Sequence, residues 1–206
     1  FSTVCASSPN LGRAMAQTRG MSASVFLYFA GERLSAAELS AARLDGHLVE
    51  LGEGYMPADA VETAAMRAAS LGSLLGESMS ASLMSAAWVW GAIDEPPMRH
   101  SAHRAVERRL HHVIARRIVL HDVFVPASGR VSIGGVWVTT PLQTLLDLAR
   151  AWVDAPAEAS MLQAMRAIVV HGLAHPDDAV ALLLDRPRVP GKKAVIRALE
   201  GLVSQR

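Results

Sequence analysis

Pro96 and Pro97 stand side by side near the middle of the 206-residue chain, directly after Asp94 and Glu95. Neither a helix nor a central strand can run through such a pair, because two backbone donors are missing and the residue before each ring is pushed out of the helical region. The charge changes sign across this break. Residues 1–97 carry 5 Arg against 10 acids, a net of −5, and residues 98–206 carry 15 Arg and Lys against 9 acids, a net of +6. An asymmetry of that size within a formal total of only +1 points to two parts facing different partners.

The bulk composition narrows the class. With 51% hydrophobic and 19% charged residues, the chain builds a core and is not disordered. Alanine occurs 35 times and aromatics make up 5%, which favours helices packed through small side chains. The single cysteine, Cys5, excludes a disulfide framework and a Cys-based zinc site. Residues 1–24 lack acids and hold Arg13 and Arg19 but no apolar run, so they read as an N-terminal arm rather than a secretion signal. The stretch 68–93 is uncharged except for Glu77, yet its 6 Ser and 3 Gly fit buried helices better than a membrane span. The expectation is a soluble, cytoplasmic protein.

Local signals give an element order. Residues 10–30 suit two short helices parted near Gly20. Ser35, with Glu38 three residues on, forms a capping box for a helix closed by Gly46. Residues 47–57 (HLVELGEGYMP) read as strand, tight Gly turn, strand. A helix followed at once by such a hairpin outlines a winged helix-turn-helix, in which the helix enters the major groove and the hairpin rests on the DNA backbone. Residues 61–75 and 79–93 read as two Ala-rich buried helices. After the prolines, 118–125 is strand-like and 131–138 is a hairpin around Gly134-Gly135. Thr140 and Pro141 start a helix whose core stripe is Leu142, Leu145, Leu146, Ala149, Trp152 and Val153, and three further helices follow. The expected fold is α+β and mainly helical. An N-terminal winged helix-turn-helix (1–57) leads through buried connecting helices (58–97) to a mixed α/β C-terminal domain (98–206) with a small antiparallel sheet and a helical tail.

The run GVWVTTPLQTLLDLAR (135–150) resembles a characteristic block of the AbiEi-family antitoxins of type IV toxin–antitoxin systems, which also occur as phage-defence operons. The segments LSAAELSAARLDGHLVELGEGYMP (34–57) and SMSASLMSAAWVWGAI (78–93) are similar to that family's helix-and-wing and following helix, in the same order. The resemblance spans roughly residues 22–200, and the Arg- and Ala-rich composition fits an actinobacterial member. It implies a winged helix-turn-helix that binds the operon's own operator DNA as an autorepressor. It also implies a C-terminal antitoxin domain and a cognate nucleotidyltransferase toxin as partner. The DNA-facing candidates are Arg33, Ser35, Ser40, Arg43, His47 and Tyr55. Asp45, Glu50 and Glu53 make this wing acidic where the family's is basic, and phosphate contacts need cations. A second basic patch, for DNA or toxin, is therefore expected from Arg99, Arg104, Arg108, Arg109, Arg116, Arg117, Lys192 and Lys193.

Enzymatic readings find little support. A Vsr-like nuclease tail needs an Asp and a Glu-x-Lys pair, and the only lysines lie in Pro-Gly-Lys-Lys-Ala. Arg186 stands where a phosphate loop before Lys192 needs its first glycine, and no protein-kinase loop signature is present. The alternative is an antitoxin acting mainly on the toxin protein, by contact or by a modification such as phosphorylation by an atypical kinase. His100, His103, His111, His112 and His121 have no carboxylate in a recognised ligand spacing and are expected at the surface. No metal, cofactor or catalytic residue is assigned. Asp147 is expected to cap or to pair with a nearby Arg such as Arg150, and Trp88, Trp90, Trp137 and Trp152 to anchor the core.

Overall fold

A computed structural model describes residues 26–110, 116–156, 158–186 and 189–203. The expected elements before residue 26, together with Cys5, His111 and His112, lie outside the described residues. Residues 26–30 hold a turn and two isolated bridges rather than a helix, and Tyr28 exchanges two backbone hydrogen bonds with Tyr55, at 2.8 and 2.9 Å.

Helix α1 (Ala36–Leu44) begins as its capping box dictates. Ser35 Oγ accepts from Glu38 N–H at 3.3 Å, and Glu38 Oε2 accepts from Ser35 N–H at 2.8 Å. Strands β1 (Leu48–Leu51) and β2 (Gly54–Pro57) pair antiparallel from Leu51–Gly54 to Leu48–Pro57. The two-residue turn between them places Gly52 at φ +56°. There a Cβ would fall 2.3 Å from Ser70 Oγ, so the turn needs glycine for both its conformation and its close approach.

The expected helix over 61–75 is two pieces, α2 (Ala64–Ser70) and α3 (Gly72–Leu75). The expected helix over 79–93 is corrected further: β3 (Met79–Ala81) comes first, and only then α4 (Leu83–Val89). All three β3 residues are buried with neighbours on both sides, so ladder pairing overrides the weak β-propensity of Ser and Ala. Leu83, where strand becomes helix, has φ +48°; it is a buried core residue, which offsets a backbone cost of about 1–2 kcal/mol.

Strands β4 (His100–Arg104), β5 (Ile118–Phe124), β6 (Arg130–Ile133) and β7 (Val136–Thr139) complete a five-stranded sheet in the order β5-β4-β3-β7-β6. It is mixed, not the small antiparallel sheet expected: β3 runs parallel to β7, and β4 parallel to β5. The antiparallel expectation holds for the β6–β7 hairpin around Gly134-Gly135 and for the separate β1–β2 pair. The loop containing Pro96 and Pro97 is pinned by Arg67, whose guanidinium donates to the carbonyls of Trp88 and Ile93 at 2.6 and 3.0 Å and stacks over the Trp88 ring.

Helices α5 (Pro141–Asp154), α6 (Ala159–Val170), α7 (Pro176–Leu184) and α8 (Lys192–Val203) form the tail. Thr140 Oγ1 caps α5 by accepting from Gln143 N–H at 3.2 Å. Two apolar clusters hold the chain together. One joins the hairpin residues Leu51 and Met56 to Met66, Trp88, Ile118 and Val138; the other joins Leu145, Leu146 and Leu148 to Met165, Ile168, Leu183 and Leu199. Trp88 is fully buried, as a core anchor should be. Trp90, Trp137 and Trp152 are partly buried, with Trp90 donating to Thr139 O at 2.9 Å. No helix among the described residues is long and apolar enough to cross a membrane.

Candidate functional site

The helix-and-hairpin face brings several expected residues together. Leu39 is the only buried residue of α1, and Leu44 at its end is 77% exposed. Arg33, Arg43 and His47 are exposed, while Ser40 and Tyr55 are half-buried. Ser35 serves the capping box, where its backbone and side-chain bonds hold the Glu38 carboxyl below its ordinary pKa. Arg43 is paired with Glu50 at the surface, its Nε 3.3 Å from Glu50 Oε1 across the start of the hairpin.

Glu53, counted among the acids of the wing, turns inward. Its side chain is 11% exposed, Oε2 accepts from Arg117 Nη1 at 2.9 Å, and Oε1 lies 3.5 Å from His100 Nε2. His100 Nδ1 in turn lies 3.2 Å from Ser85 Oγ, which accepts from Ser101 N–H at 2.9 Å. Burial raises the Glu53 pKa, with Arg117 opposing. Burial, aided by Arg117, brings His100 down to about 4. The Glu53–His100 contact therefore joins a carboxyl to a neutral imidazole. The Ser–His–Glu order superficially resembles a nucleophile relay, but Ser85 is fully buried and offers no access to a substrate. What the arrangement does is tie the hairpin tip to α4 and β4.

The basic stretch is divided rather than gathered. β4 and β5 run parallel, so Arg99, Arg116 and Arg117 sit where these strands begin, and Arg104, Arg108 and Arg109 where β4 ends. Arg99 donates to Arg116 O and Ile118 O, both at 3.2 Å. Arg104 is buried, donating to Val106 O and Glu107 O and pairing with Asp122 at 2.5 Å; Arg109 lies 3.4 Å from the same carboxylate. Arg108 and Arg116 are exposed. Lys192 Nζ donates to Leu184 O and Arg186 O, each at 3.0 Å, closing the end of α7, and Lys193 is exposed.

The histidines depart from expectation, because His100 and His103 are buried and His121 is half-buried. Asp147 departs too. Its Oδ1 accepts from Gln143 Nε2 at 2.7 Å, and Gln143 Oε1 accepts from Arg186 Nη2 at 2.6 Å. Oδ2 lies 3.5 Å from His103 Nδ1 without a hydrogen bond, and Asp147 is 5% exposed. Burial raises the Asp147 pKa to about 6, against the Gln143 bond and the charges of Arg150 and Arg186. Burial, with His121 and Arg150 adding to it, lowers His103 to about 4. Both groups are thus driven towards their neutral forms, and their contact is not an ion pair. The β4–β5 register shifts between His103 and Arg104, a bulge of the kind that re-aims side chains beside functional sites. Sequence reading missed Gln143, His103 and Arg186 as one group with Asp147. The available signal was Gln143 four residues before Asp147, one turn apart on a Leu-rich helix.

The comparisons bear on this whole region. A family model described as the AbiEi antitoxin C-terminal domain matches residues 80–192, from β3 to the start of α8. The crystal structure of the RV2827C protein from Mycobacterium tuberculosis is similar at 16% identity and a TM-score of 0.47, over 84% of this chain and 66% of that one. This chain therefore spans slightly less than two thirds of that protein's length. No curated protein matches significantly. With more than half of its residues inside the matched family domain, the chain belongs to the AbiEi family of antitoxins.

Proposed function

We infer from the family that the chain acts as the antitoxin of a toxin–antitoxin pair. We propose, beyond that, that the chain represses its own operon by binding operator DNA through α1 and the β1–β2 hairpin in the manner of a winged helix-turn-helix. We propose further that it neutralises a nucleotidyltransferase-like toxin of a type IV, phage-defence-type system in the cytoplasm. In this reading residues 1–57 read DNA and residues 98–206 act on the toxin, with 58–97 connecting them. That is a division of labour rather than of packing, since one sheet runs through the second and third parts.

The observation that carries the DNA reading is a helix burying only Leu39, followed shortly by a tight hairpin whose tip acid, Glu53, is turned away from the surface. An exposed Ala-rich helix lets its backbone approach a groove closely, and Arg43 supplies a phosphate contact once released from Glu50. The test is fluorescence anisotropy with DNA from upstream of the operon. Sequence-specific, salt-sensitive retention is expected. Arg43→Ala should weaken it and lower the salt slope by about 1, and Glu50→Gln should strengthen it by freeing Arg43. Equal affinity for an unrelated fragment at low salt refutes the reading.

A second reading, in which the chain acts mainly on the toxin protein by contact or modification, draws on the charge balance of the same face. Exposed Glu32, Glu38, Asp45 and Glu50 outnumber Arg33 and Arg43 there, while Arg99, Arg108 and Arg116 are exposed elsewhere. It expects the full chain with Arg33→Ala and Arg43→Ala to rescue cells from toxin expressed from an unrelated promoter. The mass of the recovered toxin would reveal any modification.

A further inference from the structure

We propose that the cavity between the C-terminal end of β5 and the polar side of α5 binds a small oxyanion-bearing molecule, held by Arg150 and Arg186 with Gln143 and Asp147 as its floor. This inference goes beyond operator binding and does not rest on it.

The cavity is about 190 Å³ and is lined by Phe124, Pro126, Gln143, Asp147, Arg150 and Arg186, among others. At about 30 Å³ per water it has room for a phosphate, sulfate or carboxylate group on a short stem. It is smaller than the roughly 300–1,000 Å³ of pockets for drug-sized ligands. Its chemistry is specific. Among the described residues Arg150 makes no hydrogen bond, its charge acting on Asp147 and His103, and the Arg186 guanidinium bonds only Gln143 Oε1. Two guanidinium forks with unspent N–H groups therefore meet at one space. That arrangement suits an oxyanion, which each fork can engage through two parallel bonds.

Asp147 supplies the titrating group of the site. It lines the cavity, and its buried Oδ2 lies 3.5 Å from His103 Nδ1 without a hydrogen bond. Below about pH 6 burial keeps Asp147 neutral, so the cavity then holds two cations and no opposing carboxylate. The apolar wall from Val123 to Val125 keeps the local dielectric low and strengthens each contact. The charged and titratable groups facing Asp147 are His103 from β4, itself backed by His121 from β5, Arg150 from its own helix and Arg186 from the segment after α7.

The test uses the full chain titrated with sulfate, inorganic phosphate or acetate at constant ionic strength, following the Gln143 side-chain amide by NMR. Saturable one-to-one binding is expected, and the rank of phosphate, sulfate and acetate identifies the class of natural ligand. Arg150→Gln and Arg186→Gln should each weaken binding by about tenfold or more, while Arg197→Gln on α8 leaves it unchanged. Should Arg186→Gln fail to fold, Arg186→Lys keeps the charge without the fork and should bind at an intermediate level. Sulfate does not titrate between about pH 5 and pH 8, so any pH dependence belongs to the protein. Binding should strengthen as pH falls, and Asp147→Asn should abolish that dependence. No saturable binding of any of the three anions, undiminished binding in both arginine variants, or an unchanged pH profile in Asp147→Asn overturns the proposal.

Discussion

Arg117 Nη1 donates to Glu53 Oε2 at 2.9 Å across 64 residues of chain, joining the start of the sheet's edge strand to the tip of the β1–β2 hairpin. The pair is unequal: Glu53 is nearly buried and Arg117 is more than half exposed. Arg117→Ala should cost below about 1 kcal/mol, because solvent screens the exposed partner. Removing the cation lets burial raise the Glu53 pKa further. A raised acid pKa gives stability that is present at low pH and lost as pH rises through the folded value. The variant should therefore lose more relative to the parent at pH 8 than at pH 5, as thermal unfolding at the two pH values will show.

Asp147→Asn offers a sharper pH test. The folded pKa of Asp147 is raised to about 6 from an ordinary 3.8, so its favourable contribution is complete below 3.8 and gone above 6. At about 1.4 kcal/mol per unit, ionising it in place costs of order 3 kcal/mol. The carboxamide that replaces it keeps the shape and never ionises. The variant should be more stable than the parent at pH 8 by about 1–3 kcal/mol, and the gain should vanish as pH falls to about 4. Equal chemical-denaturation midpoints at pH 8 would contradict the burial argument.

Buried histidines work in the opposite direction. His100 and His103 titrate near 4 when folded, against 6.5 ordinarily, so the stability they lend is complete above 6.5 and lost as pH falls to 4. Replacing His100 with Gln should flatten the acid limb of the pH–stability curve. The same substitution at neutral pH should cost about 1 kcal/mol through the altered bond to Ser85.

The β6–β7 turn separates conformational need from close approach. Gly134 has φ +56° and a Cβ there would fall 2.3 Å from Ala65 O, whereas Gly135 has φ +84° with nothing within 4 Å. Gly135→Ala should cost about 1 kcal/mol of backbone strain. Gly134→Ala should cost clearly more, because α2 must also move. Comparable unfolding midpoints for the two would show that α2 yields freely.

Ser35→Ala should cost about 1 kcal/mol by removing the cap of α1. Since α1 buries only Leu39, the loss should appear as faster amide exchange confined to that helix. Ser35→Asp should restore protection.

Local chemistry explains what could be read in advance. Ser35 with Glu38, Thr140 with Pro141, Gly46, and the hairpins at Gly52 and Gly134-Gly135 are all fixed by bonds within a few residues, and each stands where its sequence placed it. Met79–Ala81 could not be recognised as strand, because its partners Arg104 and Val138 lie tens of residues away and only burial between them makes Ser and Ala extend. The cluster around Asp147 was hidden for the same reason. Its members come from β4, α5 and the segment after α7, and charge counts cannot reveal that His103 is buried or that Glu53 points inward.

The placement of β3 governs how this antitoxin can be dissected. A fragment begun after the paired prolines would keep β4–β5 and β6–β7 but lack the strand between them, leaving two raw edges open to pairing with other chains. Such a piece should clump rather than report on toxin neutralisation. Any scissors applied to the molecule must fall upstream of Met79, one residue before the family-matched region begins.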